Sequence, residues 1–248
     1  MQAIVLAAGM GKRLGALTRN STKCMVKVGG KRLIEHALEA LSSQGIRKAV
    51  IVTDHGAEEL RAVVGASCAG VAVSYIHNPD YARTNNIYSL LLAREAMEAE
   101  DSLLLESDLI FEPAIIADCL RHPSANTAVV ARFMPWMDGT VTRLEDNHDI
   151  TCFLGKKEMV EADLAHYYKT VNIYKLSKDF CRDKFFPFLD VYIRAKGLNE
   201  YYEEVFKVLT FIDRGALRAV DVSRRLWYEI DDIQDLDIAE ALFARGKA

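Results

Sequence analysis

Residues 4–14 read IVLAAGMGKRL, and Lys23 follows nine positions after Leu14. The apolar, strand-forming Ile4, Val5 and Leu6 lead into a loop where Gly9 and Gly11 can take positive φ and turn backbone N–H groups toward an anion. Lys12, Arg13 and Lys23 bring positive charge to the same place. The ligand that suits this chemistry is a nucleoside triphosphate. A plain strand-to-helix turn accounts for the glycines but leaves three neighbouring cations unexplained.

Two familiar phosphate-binding motifs do not fit. A P-loop requires GxxxxGK[ST], whereas Gly9 is followed by Met10, Gly11, Lys12, Arg13 and Leu14, with no Lys-Ser or Lys-Thr pair in place. A dinucleotide fingerprint requires GxGxxG, and its third glycine position is Leu14 here, with Gly15 one residue late. The next carboxylate is Glu35, poorly placed for the acid that would bind a ribose.

LAAGMGKRL with the downstream Lys23 resembles the signature of the nucleotidyltransferases that activate sugar phosphates and small phospho-alcohols. NPDYARTNNIYSLLLAR (78–94), LLLESDLIF (103–111) and WYEIDDIQDL (227–236) are similar to the small cytidylyltransferase branch, the phosphocholine and 2-aminoethylphosphonate enzymes. The resemblance is close over residues 1–111 and the last 25, and thin between them. Sugar nucleotidyltransferases usually carry prolines near 16, 22 and 27; Ala16, Thr22 and Lys27 stand there in this chain, which counts against a sugar phosphate acceptor.

The resemblance implies a fold and an activity. The fold is α/β: a Rossmann-like open, mostly parallel mixed sheet flanked by helices, of the nucleotide-diphospho-sugar transferase type, with an acceptor-binding lid subdomain. The activity is transfer of CMP from CTP to a small amino-alkyl phosphate or phosphonate, with release of pyrophosphate and with Mg2+ as cofactor. Arg13 would hold the leaving β- and γ-phosphates through its planar fork, and Lys23 the α-phosphate and the acceptor anion. Leu6, Ala8, Gly9, Gly11 and Lys12 would complete the nucleotide loop, although solvated charge remains the plainer role for Lys12. Asp108 and Asp231 would hold the metal. A sugar-1-phosphate nucleotidyltransferase and a noncatalytic nucleotide sensor are the alternatives; a sensor need not keep both aspartates.

Position alone leaves Asp108 open between ligand and cap, and Asp231 rests on its match to the family's second metal position. Magnesium takes one or two carboxylates together with phosphate oxygens and water. Asp108 falls just after the buried strand-like run SLLLES, where open parallel sheets place ligands, although a cap before FEP (111–113) is an equal structural role. Glu106, two residues earlier, shares its sheet face if the strand is regular. Asp232 and Asp235 read as caps of the final helix.

Thr84, Asn85 and Asn86 can supply the amide and hydroxyl groups that cytosine needs, while each asparagine can equally cap the following helix. For the acceptor, Trp136, Tyr201, Tyr202, Glu200 and Glu203 offer aromatic faces and carboxylates to an ammonium, and Glu203 best matches the family's acidic position. Core packing is the commoner fate of such aromatics. Lys156 and Lys157 either reach the acceptor's anion or stay solvated. The six histidines show no HxxxH or triad arrangement.

The chain must position these groups on alternating elements. Strands are expected at 2–8, 48–53, 71–76, 102–107 and 127–133, with helices at 33–45 and from Asn85 or Asn86 to about Glu100. Two short strands are expected within 140–153 and another at 169–177, then helices at 178–196 and 199–212, strands at 217–222 and 226–230, and a helix at 234–245. With no linker or repeat, one continuous domain is expected over 1–248: a CTP-binding half to 133, an acceptor lid at 134–216, and closing elements from 217.

At 248 residues, 50% apolar and 27% charged, the chain can bury a sizeable core. A net charge of −4 speaks against a broad nucleic-acid footprint. Five scattered cysteines with no zinc spacing, no basic secretion signal and no long apolar run point to a reduced cytoplasm, without membrane insertion.

Overall fold

A computed structural model describes residues 1–9, 11–18, 21–54 and 56–245, apart from the side chains of Lys12, Ala16 and Arg245. Strand β1 (Gln2–Ala7) is buried at every position. Its continuous apolar run suits a central strand covered on both faces. A 3-10 segment over Lys12–Thr18 and a 3-10 turn at Lys23–Met25 follow, then the two-residue strands β2 (Lys27–Val28) and β3 (Lys31–Arg32), paired with each other. Helix α1 (Leu33–Ser43) buries Leu33, Ile34, Ala37, Leu38, Ala40 and Leu41, the single apolar face that its spacing predicts. Next come β4 (Lys48–Thr53), α2 (Ala57–Val64), the short β5 (Ser67–Cys68) and β6 (Val71–His77).

The expected long helix after Asn85 divides into α3 (Asn86–Leu92) and α4 (Arg94–Ala99), because Ala93 leaves helical geometry at φ −84°, ψ 2°. Strand β7 (Ser102–Glu106) is followed almost at once by β8 (Leu109–Phe111), which the sequence pattern did not suggest. Helix α5 (Ala114–Arg121) and β9 (Thr127–Arg132) complete this half. Beyond it lie β10 (Val141–Leu144), β11 (Ile150–Leu154) and the long β12 (Tyr168–Leu176). The helical stretch over 178–196 is α6 (Lys178–Phe180), a π-turn over Cys181–Phe185 and α7 (Phe186–Lys196). Helix α8 (Glu203–Ile212) starts four residues later than expected, and β13 (Arg218–Asp221), β14 (Trp227–Glu229) and α9 (Ile233–Arg245) close the described chain.

Among the described residues one sheet of ten strands runs β11-β10-β12-β7-β1-β4-β6-β5, with β9 on β12 and β13 on β9. β1 pairs in parallel with β4 and β7, whereas β12 is antiparallel to both β7 and β9. The result is a mixed, mostly parallel sheet with helices on its faces, as the resemblance implied. The strands expected in the acceptor half share this sheet, since β12 lies directly beside β7. Two large apolar clusters cover the sheet's two sides, one built around α1 and the other around α3, α7 and α8.

Strand β14 departs from the main sheet. It pairs antiparallel with β8, Glu229 opposite Leu109. Ile230 N–H also donates to the carbonyl of Asp108 at 2.9 Å. This small ladder draws the end of the chain to the carboxyl end of β7.

No helix among the described residues is long and apolar enough to cross a membrane. The five cysteines are free thiols.

Candidate active site

A cleft of about 730 Å3 opens at the carboxyl ends of β1 and β7, where parallel sheets present ligand sites. Its lining includes Leu6, Ala8 and Gly9 from the first loop, Thr84, Asn85 and Asn86 from the start of α3, and Glu203 from α8. Of the two glycines expected to take positive φ, Gly11 does so at +56°, whereas Gly9 does not. The lysine expected after Gly11, Lys12, has a side chain outside the described atoms.

The loop is tied down by its own hydroxyls. Thr18 donates to the Gly11 carbonyl at 2.7 Å, and Thr22 donates to the Ala7 carbonyl at 3.1 Å. Buried Cys24 and Met25 anchor the turn that carries Lys23. The Lys23 Nζ lies 2.7 Å from Asp108 Oδ2 and 2.5 Å from Asp231 Oδ1. An Arg13 guanidinium nitrogen sits 2.8 Å from that same Asp231 oxygen. The β8–β14 ladder explains how two aspartates so distant in sequence meet on one lysine.

Electrostatics follow from this geometry. Burial opposes the Lys23 charge, but the carboxylates of Asp108 and Asp231 outweigh it and hold the ammonium above its ordinary pKa. Burial likewise opposes the Asp231 carboxylate, yet Lys23 and then Arg13 keep its pKa below the usual value. Asp108 Oδ1 is buried without a hydrogen-bond partner. Hard oxygens on two adjacent carboxylates, one of them unengaged, fit the magnesium pair expected from sequence. Among the described residues no cluster of three or more His, Cys, Asp or Glu side chains could hold a metal, so such an ion would take its other ligands from phosphate and water.

Asp232 and Asp235 have the capping role expected of them. The Asp235 carboxylate accepts from the N–H groups of Asp231 and Asp232 at 3.0 and 3.1 Å, and Asp235 N–H donates to Asp232. Asp231 is thereby fixed at the head of α9.

The asparagines separate into two roles. Asn85 is the N-cap of α3, its carbonyl accepting from Asn86 N–H. Asn86 is engaged by protein groups rather than free for a base: its carbonyl accepts from Tyr202 N–H at 3.0 Å, and its amide donates to Glu106 and Glu203 at 3.2 and 3.5 Å. Thr84 donates to the Asp80 carbonyl at 2.9 Å and receives Asn78.

Glu203 is 8% exposed, and burial pushes its pKa up to about 7. Glu106 is raised well above the carboxylate range, first by burial and then by the charges of Asp108 and Glu203. Lys156 reaches the cleft and pairs with Asp138 at 3.2 Å. Trp136 departs from expectation. It is not among the cleft-lining residues; it is 61% exposed and stacks flat on Tyr228 with ring centroids 5.5 Å apart. Tyr228 and Glu229 are successive strand residues and point to opposite faces, so stacking on Tyr228 takes the indole away from Glu229.

Among the cleft residues that the sequence does not single out are Lys169, Asn172 and Glu229. Lys169, 2% exposed, meets Glu229 at 3.0 Å, and Asn172 donates to the other Glu229 oxygen at 3.2 Å. Asn172 has φ +59° within β12, where the β12–β9 register shifts between Thr170 and Tyr174. Lys169 and Asn172, polar residues buried in the strand YKTVNIYKL, and a glutamate two positions before Asp231 were the available signals.

Residues 3–147 match the MobA-like NTP transferase domain. The chain belongs to this family. It is 33% identical over 245 residues to the CMP-5'-(3-aminopropyl)phosphonate synthase of Streptomyces rubellomurinus, covering 98% of this chain but 39% of that protein. It is 26% identical over 270 residues to the CTP:phosphoglutamine cytidylyltransferase of Campylobacter jejuni, covering 96% and 98% of the two chains. The solved CTP:phosphocholine cytidylyltransferase of Streptococcus pneumoniae superposes with a TM-score of 0.78 at 22% identity, over 98% of both chains, and shows the shared fold.

Proposed function

We propose that the chain is a cytidylyltransferase that moves CMP from CTP to a small amino-alkyl phosphonate or phosphate. One observation carries this reading: Arg13, Lys23, Asp108 and Asp231 converge in the cleft at the end of β1. The names of the Streptomyces and Campylobacter relatives, which specify CMP and CTP with a phosphonate and a phosphoglutamine, support the nucleotide and acceptor classes.

An acceptor oxygen, already anionic, attacks the α-phosphorus in line; the new P–O bond forms as the bond to the β-phosphate oxygen breaks. No strong base is required, so catalysis rests on positioning and charge. Asp108 and Asp231 would hold magnesium, which when bound spreads charge from the triphosphate. Arg13 receives the leaving phosphates and Lys23 the α-phosphate. Lys156 takes the acceptor's anion, while the half with Glu106, Glu203 and Glu229 suits its ammonium. With Trp136 stacked outside the cleft, these carboxylates and Tyr201, which lines the cleft, offer that group its partners.

The test is pyrophosphate release with Mg2+, each of the four NTPs, and 2-aminoethylphosphonate, phosphocholine or glucose 1-phosphate in turn. Release with CTP and an amino-alkyl acceptor is expected. Release only with UTP or dTTP and the sugar phosphate overturns the acceptor assignment, and silence with every pair while CTP binds overturns the enzymatic reading.

A further inference from the structure

The position expected for the metal is met by a protein cation. Lys23 Nζ touches both carboxylates, and Arg13 touches one of them. Two negative and two positive groups leave this cluster with no net charge to repay the dehydration of a divalent ion. The Lys23 side chain is 12% exposed, and its stem is packed so closely on the loop that a β-carbon at Gly11 would lie 2.8 Å from its Cγ. We propose that Lys23 is the counter-ion of the Asp108–Asp231 pair in the nucleotide-free enzyme, excluding free divalent metal so that metal enters only together with a triphosphate.

The inference rests on the reading above, that the cleft takes a nucleoside triphosphate and that the two aspartates hold its metal. An incoming triphosphate gives Lys23 and Arg13 a more highly charged partner. Both carboxylates are then released, and Asp108 Oδ1, which no protein donor engages, faces no competitor. Linkage is reciprocal: nucleotide and metal must each strengthen the other's binding by the same factor.

The probe is Mn2+, with free ion measured by its electron paramagnetic resonance signal and bound ion by water-proton relaxation. Lys23→Met and Lys23→Gln should bind Mn2+ without nucleotide at least about tenfold more tightly than wild type, a gain that a second change, Asp108→Asn, removes. Since loss of the lysine can compromise folding, wild type supplies an arm of its own: relaxation enhancement should appear with α,β-methylene CTP and Mn2+ together, and not with Mn2+ alone. Equal affinities in wild type and the lysine variants, or enhancement by wild type with Mn2+ alone, each abolished by Asp108→Asn, would leave the aspartate site standing and overturn the role of Lys23. Binding that Asp108→Asn never alters would overturn the metal assignment itself, and the proposal with it.

Discussion

A β-carbon at Gly11 would sit 2.8 Å from Lys23 Cγ and 3.0 Å from Thr18 Cγ2, so the first loop has room for the Lys23 stem only because position 11 has no side chain. With φ at +56°, the same residue also holds a backbone conformation that L-residues disfavour by about 1–2 kcal/mol. Gly11→Ala should therefore displace Lys23 and lower kcat/KM by at least about tenfold, with a loss of about 1–2 kcal/mol in urea unfolding. Steady-state pyrophosphate release and a denaturation curve check the two halves of this statement.

Asp108→Asn keeps the shape of the carboxylate and removes its charge. Lys23 still has Asp231 at 2.5 Å, so the fold should persist. The lost transition-state stabilisation is about 3 kcal/mol, a fall of roughly two orders of magnitude in turnover. Normal turnover by this variant would remove Asp108 from the mechanism.

Glu203 should make both stability and acceptor binding depend on pH. Its folded pKa, pushed up to about 7 by burial, exceeds the ordinary value of 4.5. The folded chain therefore keeps a proton that the unfolded chain releases, and the stability this contributes is full below the ordinary value and lost as pH rises through about 7. The effect is on the order of 3 kcal/mol. Glu203→Gln should flatten this dependence in urea unfolding between about pH 5 and pH 8. An acceptor ammonium favours the carboxylate, so its KM should fall as pH rises through the same range in wild type and stay level in the variant.

Asn172 combines an unusual backbone with a positioned amide. Asn172→Ala should destabilise by about 2–3 kcal/mol, from a strained left-handed conformation and lost hydrogen bonds to Glu229 and Thr170. Asn172→Gly keeps the backbone conformation and loses the amide, and should recover about 1 kcal/mol of that difference. Equal destabilisation by both variants would show that the conformation at this bulge carries no strain.

Much of the architecture was legible because it depends on neighbours in sequence. The apolar run of β1 needs cover on both faces, α1 repeats with a helical period, and Asp108 follows a buried strand. These are properties of short windows, as are the glycine at position 11 and the cations at 13 and 23. Boundaries shifted in two places: α3 and α4 part at Ala93, and α8 begins only at Glu203, after Tyr202 N–H is bound by the Asn86 side chain.

What the sequence by itself determined was an inventory: a strand, a phosphate-type loop, a set of cations and two candidate aspartates. Only the tertiary structure decided their relations. Asp108 and Asp231 meet because β8 and β14 pair in one register, and no local pattern specifies a partner so far along the chain. Strand alternation at Tyr228 and Glu229 likewise sent Trp136 away from the cleft while Glu229 met Lys169. The physical reason is that conformation of a short segment follows from its own residues, whereas which charges share a cleft follows from long-range pairing and the burial it imposes.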